Sequence, residues 1–163
     1  PFGLRTYVKP TESGDIKLRY SGGIGPFNRV DVTSGIDWID KWKVTMSYLT
    51  YDHAGRPDKN GQRRIFSTMD ILPPETVCTE TYIVIDCFDT EQEAKNLMAY
   101  LKTRFVRFLV AQLAATQHLS KATFGFVPVQ DFTEEWTDEK LYKKYELTED
   151  EIAFIESTIR MME

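Results

Sequence analysis

The hydrophobic rhythm of the chain changes at Thr90, and that change limits the fold more than any other feature. Before it, short runs alternate apolar and polar residues with the period of a strand. Ile16-Lys17-Leu18-Arg19-Tyr20 is one such run, and Val44, Met46 and Tyr48 mark another. Ile65–Met69 and Val77–Phe88 read as further strands. After Thr90, the residues Leu97, Met98, Leu101, Phe105, Phe108 and Leu109 recur at helical spacing. Thr90 can cap that helix, with Glu91 and Glu93 favourably placed in its first turn. The reading is an α+β domain. It has a small mixed or antiparallel sheet, a central helical segment over about 91–115 in one helix or two, and a C-terminal helical hairpin.

Between these segments the sequence predicts turns. Ser21-Gly22-Gly23-Ile24-Gly25-Pro26 reads as a loop, and Leu72-Pro73-Pro74-Glu75 as a rigid connection between strands. Pro57-Asp58-Lys59-Asn60-Gly61 predicts an exposed hairpin tip. Phe124–Val129 reads as one more strand. In the tail, Thr137-Asp138-Glu139 starts a short helix ending near Tyr145. Thr148-Glu149-Asp150-Glu151 is a capping box, with Leu147 and Ile152 as its hydrophobic staple and Ile152, Ile155 and Ile159 as a narrow apolar stripe.

Charge divides the chain at about residue 130. Residues 1–130 carry 16 basic and 14 acidic side chains, and residues 131–163 carry 4 and 11. The expected organisation is therefore an α+β body over 1–130 and an acidic helical appendage over 131–163, docked on the body or on a neighbouring domain. The net charge of −5 belongs to the tail, which leaves the body able to present a basic face. Apolar residues make up 42 % of the 163, with 10 Phe, 8 Tyr and 3 Trp, enough for a sizeable core. No run approaches the ~20 apolar residues of a membrane span. The opening Pro1-Phe2-Gly3-Leu4-Arg5 has neither an initiator Met nor a signal-peptide pattern, so the expectation is a cytoplasmic segment of a longer protein. Cys78 and Cys87, nine residues apart, fit buried reduced thiols and match no zinc pattern.

Catalytic motifs are hard to find. The two histidines, His53 and His118, accompany no nucleophile elbow. Gly22-Gly23-Ile24-Gly25 lacks the Lys-Ser/Thr of a phosphate-binding loop. Leu72-Pro73-Pro74-Glu75 lacks the flanking Asn or Asp and the aromatic residue of an adenine methyltransferase motif. Glu93-Ala94-Lys95, with Asp86 or Asp89 upstream, has the spacing of a metal-dependent nuclease. It falls in a predicted helix, however, whose 100° step sends Glu93 and Lys95 to different faces.

One constellation suggests nucleic acid. The loop after Tyr51 offers His53, Arg56, Lys59, Asn60, Gln62, Arg63 and Arg64. Arg and Lys neutralise phosphate or grip guanine, and Asn and Gln grip adenine. A second basic group, Lys102, Arg104 and Arg107 with Lys121, places Arg104 and Arg107 on one helix face for phosphate. Lys41 and Lys43, flanking Trp42, are weaker candidates for phosphate contacts on a strand edge.

The second half carries a resemblance. Thr79–Val84, Phe88-Asp89-Thr90-Glu91-Gln92-Glu93-Ala94, Leu97–Leu109, Gln117-His118-Leu119-Ser120 and Phe126-Val127-Pro128-Val129 follow one another in a familiar order. That order resembles the target-recognition region of bacterial restriction–modification adenine-N6 DNA methyltransferases. Leu101-Lys102-Thr103-Arg104 stands where those regions carry a Leu-Asn-Ser-Lys-like turn, and it lacks the Asn. Phe132–Tyr145 and Leu147–Glu156 are similar to the C-terminus of many such enzymes. The resemblance covers residues 65–163 well and the first 60 loosely. It implies a non-catalytic segment that reads double-stranded DNA and docks on the catalytic domains of a parent restriction endonuclease or methyltransferase. It implies no cofactor in this segment, with S-adenosylmethionine and Mg²⁺ used by the parent. The competing readings are a protein-interaction module built on the 137–162 hairpin and a Mg²⁺-dependent nuclease using Asp86, Glu93 and Lys95.

Overall fold

A computed structural model describes residues 1–50, 56–114 and 118–162. The architecture is α+β, as the change of rhythm predicts. The chain divides into two compact units, Pro1–Tyr48 with Thr68–Lys95 and Leu49–Ser67 with Asn96–Glu163. The second unit takes an excursion from the strand half and joins it to the helical half.

The first unit holds two three-stranded sheets. In one, β1 (Ile16–Tyr20) lies between β2 (Gly23–Phe27), antiparallel, and β5 (Thr76–Cys78), parallel. In the other, β3 (Trp42–Ser47) lies between β4 (Met69–Leu72) and β6 (Tyr82–Phe88), antiparallel to both. The sheets are thus mixed and antiparallel, in two pieces. A bulge opposite Val44 and Thr45 shifts the β3–β6 register. Two 3₁₀ turns, Arg29–Asp31 and Ile36–Trp38, lead from β2 toward β3. Phe2, Leu4, Ile16, Leu18, Phe27, Val32, Ile39, Leu72 and Val77 pack with Cys78 and Tyr82 as the core of this unit. Both cysteines are free thiols, and burial pushes Cys78 up to about 12, so it stays protonated.

The Gly-rich segment differs from its expected role as a loop. Its first two residues turn, but Gly23–Phe27 pairs along the whole of β1. Glycine is required there for contact rather than for flexibility, because a Cβ on Gly25 would lie 2.6 Å from Pro10. The Pro73-Pro74 connection links β4 to β5 as expected, with Glu75 in the left-handed region at φ 59.

The central helical segment is two helices, α1 (Glu91–Lys102) and α2 (Arg104–Leu113), and the division between the units falls inside α1. Thr103 ends the first and caps the second: its Oγ1 donates to Tyr100 O at 2.6 Å and accepts from Val106 N at 3.2 Å. Within the second unit follow a 3₁₀ turn (Lys121–Phe124), α3 (Asp138–Lys144) and α4 (Glu149–Thr158). The capping box forms, with Thr148 N donating to Glu151 at 2.8 Å and Glu151 N donating to Thr148 at 3.3 Å. No described helix is long and apolar enough to cross a membrane.

One expectation changes in this unit. Phe124–Val129 is not a strand. It leaves the 3₁₀ turn as irregular chain, with Pro128 O accepting from the Tyr100 hydroxyl at 2.6 Å and Val129 exposed. Residues 131–163 pack against 96–130. Asn96 donates to Phe132 O at 2.9 Å, Phe105 stacks on Tyr145 at 5.2 Å, and Phe108 meets Phe154 edge-on at 5.9 Å. Aromatic pairing closes the helices over one core, so the tail's acidity lies beside the basic side chains of α2.

Candidate nucleic-acid interface

Of the eleven residues that the sequence marks for DNA contact, the ten described ones fall within the second unit. His53 lies outside the described residues. The structure sorts the other ten into an exposed tip, a group engaged in the fold, and a buried arginine.

The tip is a tight turn. Asp58 N donates to Gln62 O at 2.8 Å and Gly61 N to Asp58 O at 2.9 Å. The Asp58 carboxylate accepts from Asn60 N at 2.8 Å and Gln62 N at 3.0 Å, an arrangement that shapes the backbone around it. Those amides hold its carboxyl below the usual carboxylate range. Gly61 supplies the φ of +78 the turn needs. Arg56, Lys59 and Asn60 are left exposed on this frame. Lys121 is exposed at the start of its 3₁₀ turn.

Gln62, Arg63 and Arg64 are engaged in the fold. The Gln62 side-chain amide donates to Glu156 O at 3.0 Å. Arg63 forms a parallel bridge with Ile159, through Arg63 N to Thr158 O at 2.8 Å and Arg160 N to Arg63 O at 3.0 Å. Arg64 Nε donates to Phe66 O at 3.1 Å. All three are half-buried, as are Lys102 and Arg104. Arg104 faces Glu156 at 3.5 Å.

Arg107 departs furthest from its expected role. It has no exposed surface. Its Nε donates to Lys102 O at 2.9 Å and Thr103 O at 3.2 Å, and its Nη1 to Arg64 O at 3.2 Å. It ties the end of α1 to the strand-like segment at Arg64, and no phosphate on the protein surface can touch it. Burial lowers its pKa to about 10, Asp138 works against the fall, and Arg104, Arg64 and Arg160 add to it. A signal for this was present in the sequence. Thr103, Val106, Val110 and Ala111 share one helical stripe with Arg107, and that stripe is the buried one.

Sequence reasoning also passed over Asp138, Tyr142 and Arg160. Both Asp138 oxygens accept from the first amides of α2, Arg104 N at 3.0 Å and Phe105 N at 2.9 Å. A residue opening one helix thus caps another, a partnership that sequence separation conceals. Arg160 reaches Asp58 at 3.8 Å, beneath the tip.

In the first unit, Lys41 pairs with Asp89 at 2.6 Å and Lys43 is buried, so neither stands free on an edge. The nuclease-like residues do not converge. Glu93 caps back onto Thr90, Lys95 pairs with Glu91 at 2.8 Å, and Asp86 accepts from Cys87 N at 2.8 Å. Among the described residues no three His, Cys, Asp or Glu side chains gather as metal ligands. No protein-family model, curated protein or solved structure matches the chain.

Proposed function

We propose that this chain is a DNA sequence-recognition domain of a bacterial restriction–modification enzyme with an adenine-N6 methyltransferase part, non-catalytic by itself. The observation that carries the reading is the 56–62 tip. A carboxylate-organised turn presents two cations and a side-chain amide, Arg56, Lys59 and Asn60, to solvent. A guanidinium or ammonium with an amide on one projecting turn is a chemistry suited to base edges in the major groove. Lys121 adds a phosphate contact. Gln62, Arg63 and Arg64 brace the turn from behind, and the partners are double-stranded DNA and the parent enzyme's catalytic domains.

Fluorescence anisotropy on a randomised duplex at low salt tests this. Arg56→Ala combined with Lys59→Ala should weaken binding by tenfold or more, and Asn60→Ala should alter site preference in a selection experiment. Wild-type affinity in the double variant and an unchanged site preference in Asn60→Ala would remove the tip from the interface.

A second reading, a protein-interaction module, draws on exposed apolar side chains of the same unit. Phe154 is 60 % exposed on the acidic helix α4, and Phe126 is 58 % exposed. Loss of assembly with the catalytic domains in Phe154→Ser, with DNA affinity unchanged, would favour it.

A further inference from the structure

The sequence holds three asparagines, Asn28, Asn60 and Asn96, and only Asn60 precedes a glycine. The side-chain carbonyl of an asparagine can be attacked by the backbone nitrogen of the next residue, which closes a five-membered succinimide ring. The attack is fastest before glycine, because no Cβ crowds the closing ring. It also needs a peptide nitrogen that can lose its proton and a side chain with room to turn toward it.

The structure treats the three asparagines differently. Asn96 is buried within α1, and its side-chain amide donates to Phe132 O at 2.9 Å. Asn28 precedes an arginine, and the nitrogen that would attack it, Arg29 N, donates to Asp15 at 2.8 Å. Asn60 and Gly61 are both exposed. A Cβ built on Gly61 would meet nothing within 4 Å, so the space beside the attacking nitrogen is open. Gly61 N itself donates to Asp58 O at 2.9 Å across the turn. The Asp58 carboxylate holds the amides on either side, Asn60 N at 2.8 Å and Gln62 N at 3.0 Å. Its negative charge also opposes loss of a proton from the nitrogen between them. A turn made of exposed hydrogen bonds opens locally at small cost, and each opening frees Gly61 N.

We infer that Asn60 is a site of spontaneous deamidation and that Asp58 restrains its rate. Hydroxide removes the Gly61 amide proton, and the nitrogen bonds to Asn60 Cγ. The bond from Cγ to the side-chain nitrogen breaks, and ammonia leaves with a proton taken from water, which restores the hydroxide. Water then opens the succinimide at either carbonyl, giving aspartate or isoaspartate. The product replaces a group that donates and accepts with a carboxylate that only accepts. Within 56–62, Arg56 and Lys59 outweigh Asp58 by one charge, and the new carboxylate removes that surplus. An adenine grip is lost, and phosphate is attracted less. This consequence rests on the DNA reading above, whereas the chemistry at Asn60 does not.

Incubation of the 163-residue chain at body temperature and mildly alkaline pH, followed by mass spectrometry of its peptides, tests the inference. The peptide containing Asn60 should gain one mass unit with time, at least tenfold faster than those containing Asn28 or Asn96. Asn60→Gln should abolish the gain, because the longer side chain closes its ring far more slowly. Asp58→Ala should speed conversion at least threefold, and circular dichroism confirms that this variant is folded. An Asn60 peptide that gains no mass, or gains it no faster than the other two, would overturn the site. A rate that Asp58→Ala leaves unchanged or lowers would overturn the restraint by Asp58. DNA binding is read separately: Asn60→Asp should bind the randomised duplex at least threefold more weakly. Conversion of Asn60 with DNA binding unchanged in Asn60→Asp would uphold the modification and count against DNA reading by the tip.

Discussion

Lys43 shows how far a single side chain can depart from its sequence pattern. It sits in a strand between two aromatic or apolar neighbours, where an outward-facing lysine is the ordinary expectation. Instead it is fully buried in β3, and its ammonium donates to Lys41 O at 2.6 Å, Ile39 O at 2.8 Å, Trp38 O at 3.1 Å and Pro73 O at 3.2 Å. These carbonyls draw the 3₁₀ turn at Ile36–Trp38 and the Pro-Pro connection onto one point. Burial lowers its pKa from 10.5 to about 8, while the nearby Asp40 carboxylate opposes the fall. The folded protein therefore binds fewer protons at this site than the unfolded chain between pH 8 and 10.5, and stability from this group rises through that window. It is lost as pH falls through 8. Chemical unfolding across pH 7–10.5 should show this gain, at most about 3 kcal/mol, in the wild type and not in Lys43→Met. Parallel pH profiles would mean that the ammonium is not shielded from water. Arg107 makes the companion case. Arg107→Ala should cost about 3 kcal/mol or more in urea unfolding, because it opens a cavity and orphans carbonyls of Lys102, Thr103 and Arg64. Arg107→Lys should recover only part, since an ammonium lacks the fork that spans both groups. The helical stripe marked Arg107 as buried, but the carbonyls that receive these two cations include Arg64 O and Pro73 O, 43 and 30 residues away, which no local pattern shows.

At the scale of elements, what could be read was what is local. The helical period and the Thr90 and Thr148 caps depend on residues within one turn, and each stands where the sequence places it. Strand β2 and the segment after Phe124 depend on partners elsewhere. Gly23–Phe27 becomes a strand because β1 lies beside it, and Pro128 is held by a tyrosine 28 residues away. Asp138 has the same non-local character and gives a measurable contrast. Thr148→Ala removes a local cap and should cost about 1 kcal/mol, the usual price of such a loss. Asp138→Ala removes two charge-assisted bonds to the α2 amides at 3.0 and 2.9 Å, and should cost about 2 kcal/mol. Urea midpoints of the two variants check the order. Equal losses would show that water replaces the Asp138 carboxylate without penalty.

Over the whole molecule, the charge division visible along the sequence does not survive folding. The first unit carries 8 basic and 12 acidic residues and the second 12 and 13, because the acidic tail joins the segments that hold the arginines. Nearly balanced charge makes long-range attraction to DNA weak, so affinity must come from local contacts. The number of those contacts can be counted by salt. Each neutralised phosphate contributes about −0.9 to the slope of log affinity against log salt. Arg56, Lys59 and Lys121 are the exposed cations among the expected contact residues, which predicts a slope of about −3. Had Arg63, Arg64, Lys102 and Arg104 also stood free, as the sequence pattern suggests, the slope would be near −6. Replacing Arg56 and Lys59 together with Ala should bring it to about −1. Anisotropy titrations at four salt concentrations separate these cases. A slope near −6 that the double variant leaves unchanged would move the interface from the tip to the arginines of α2 and its neighbours.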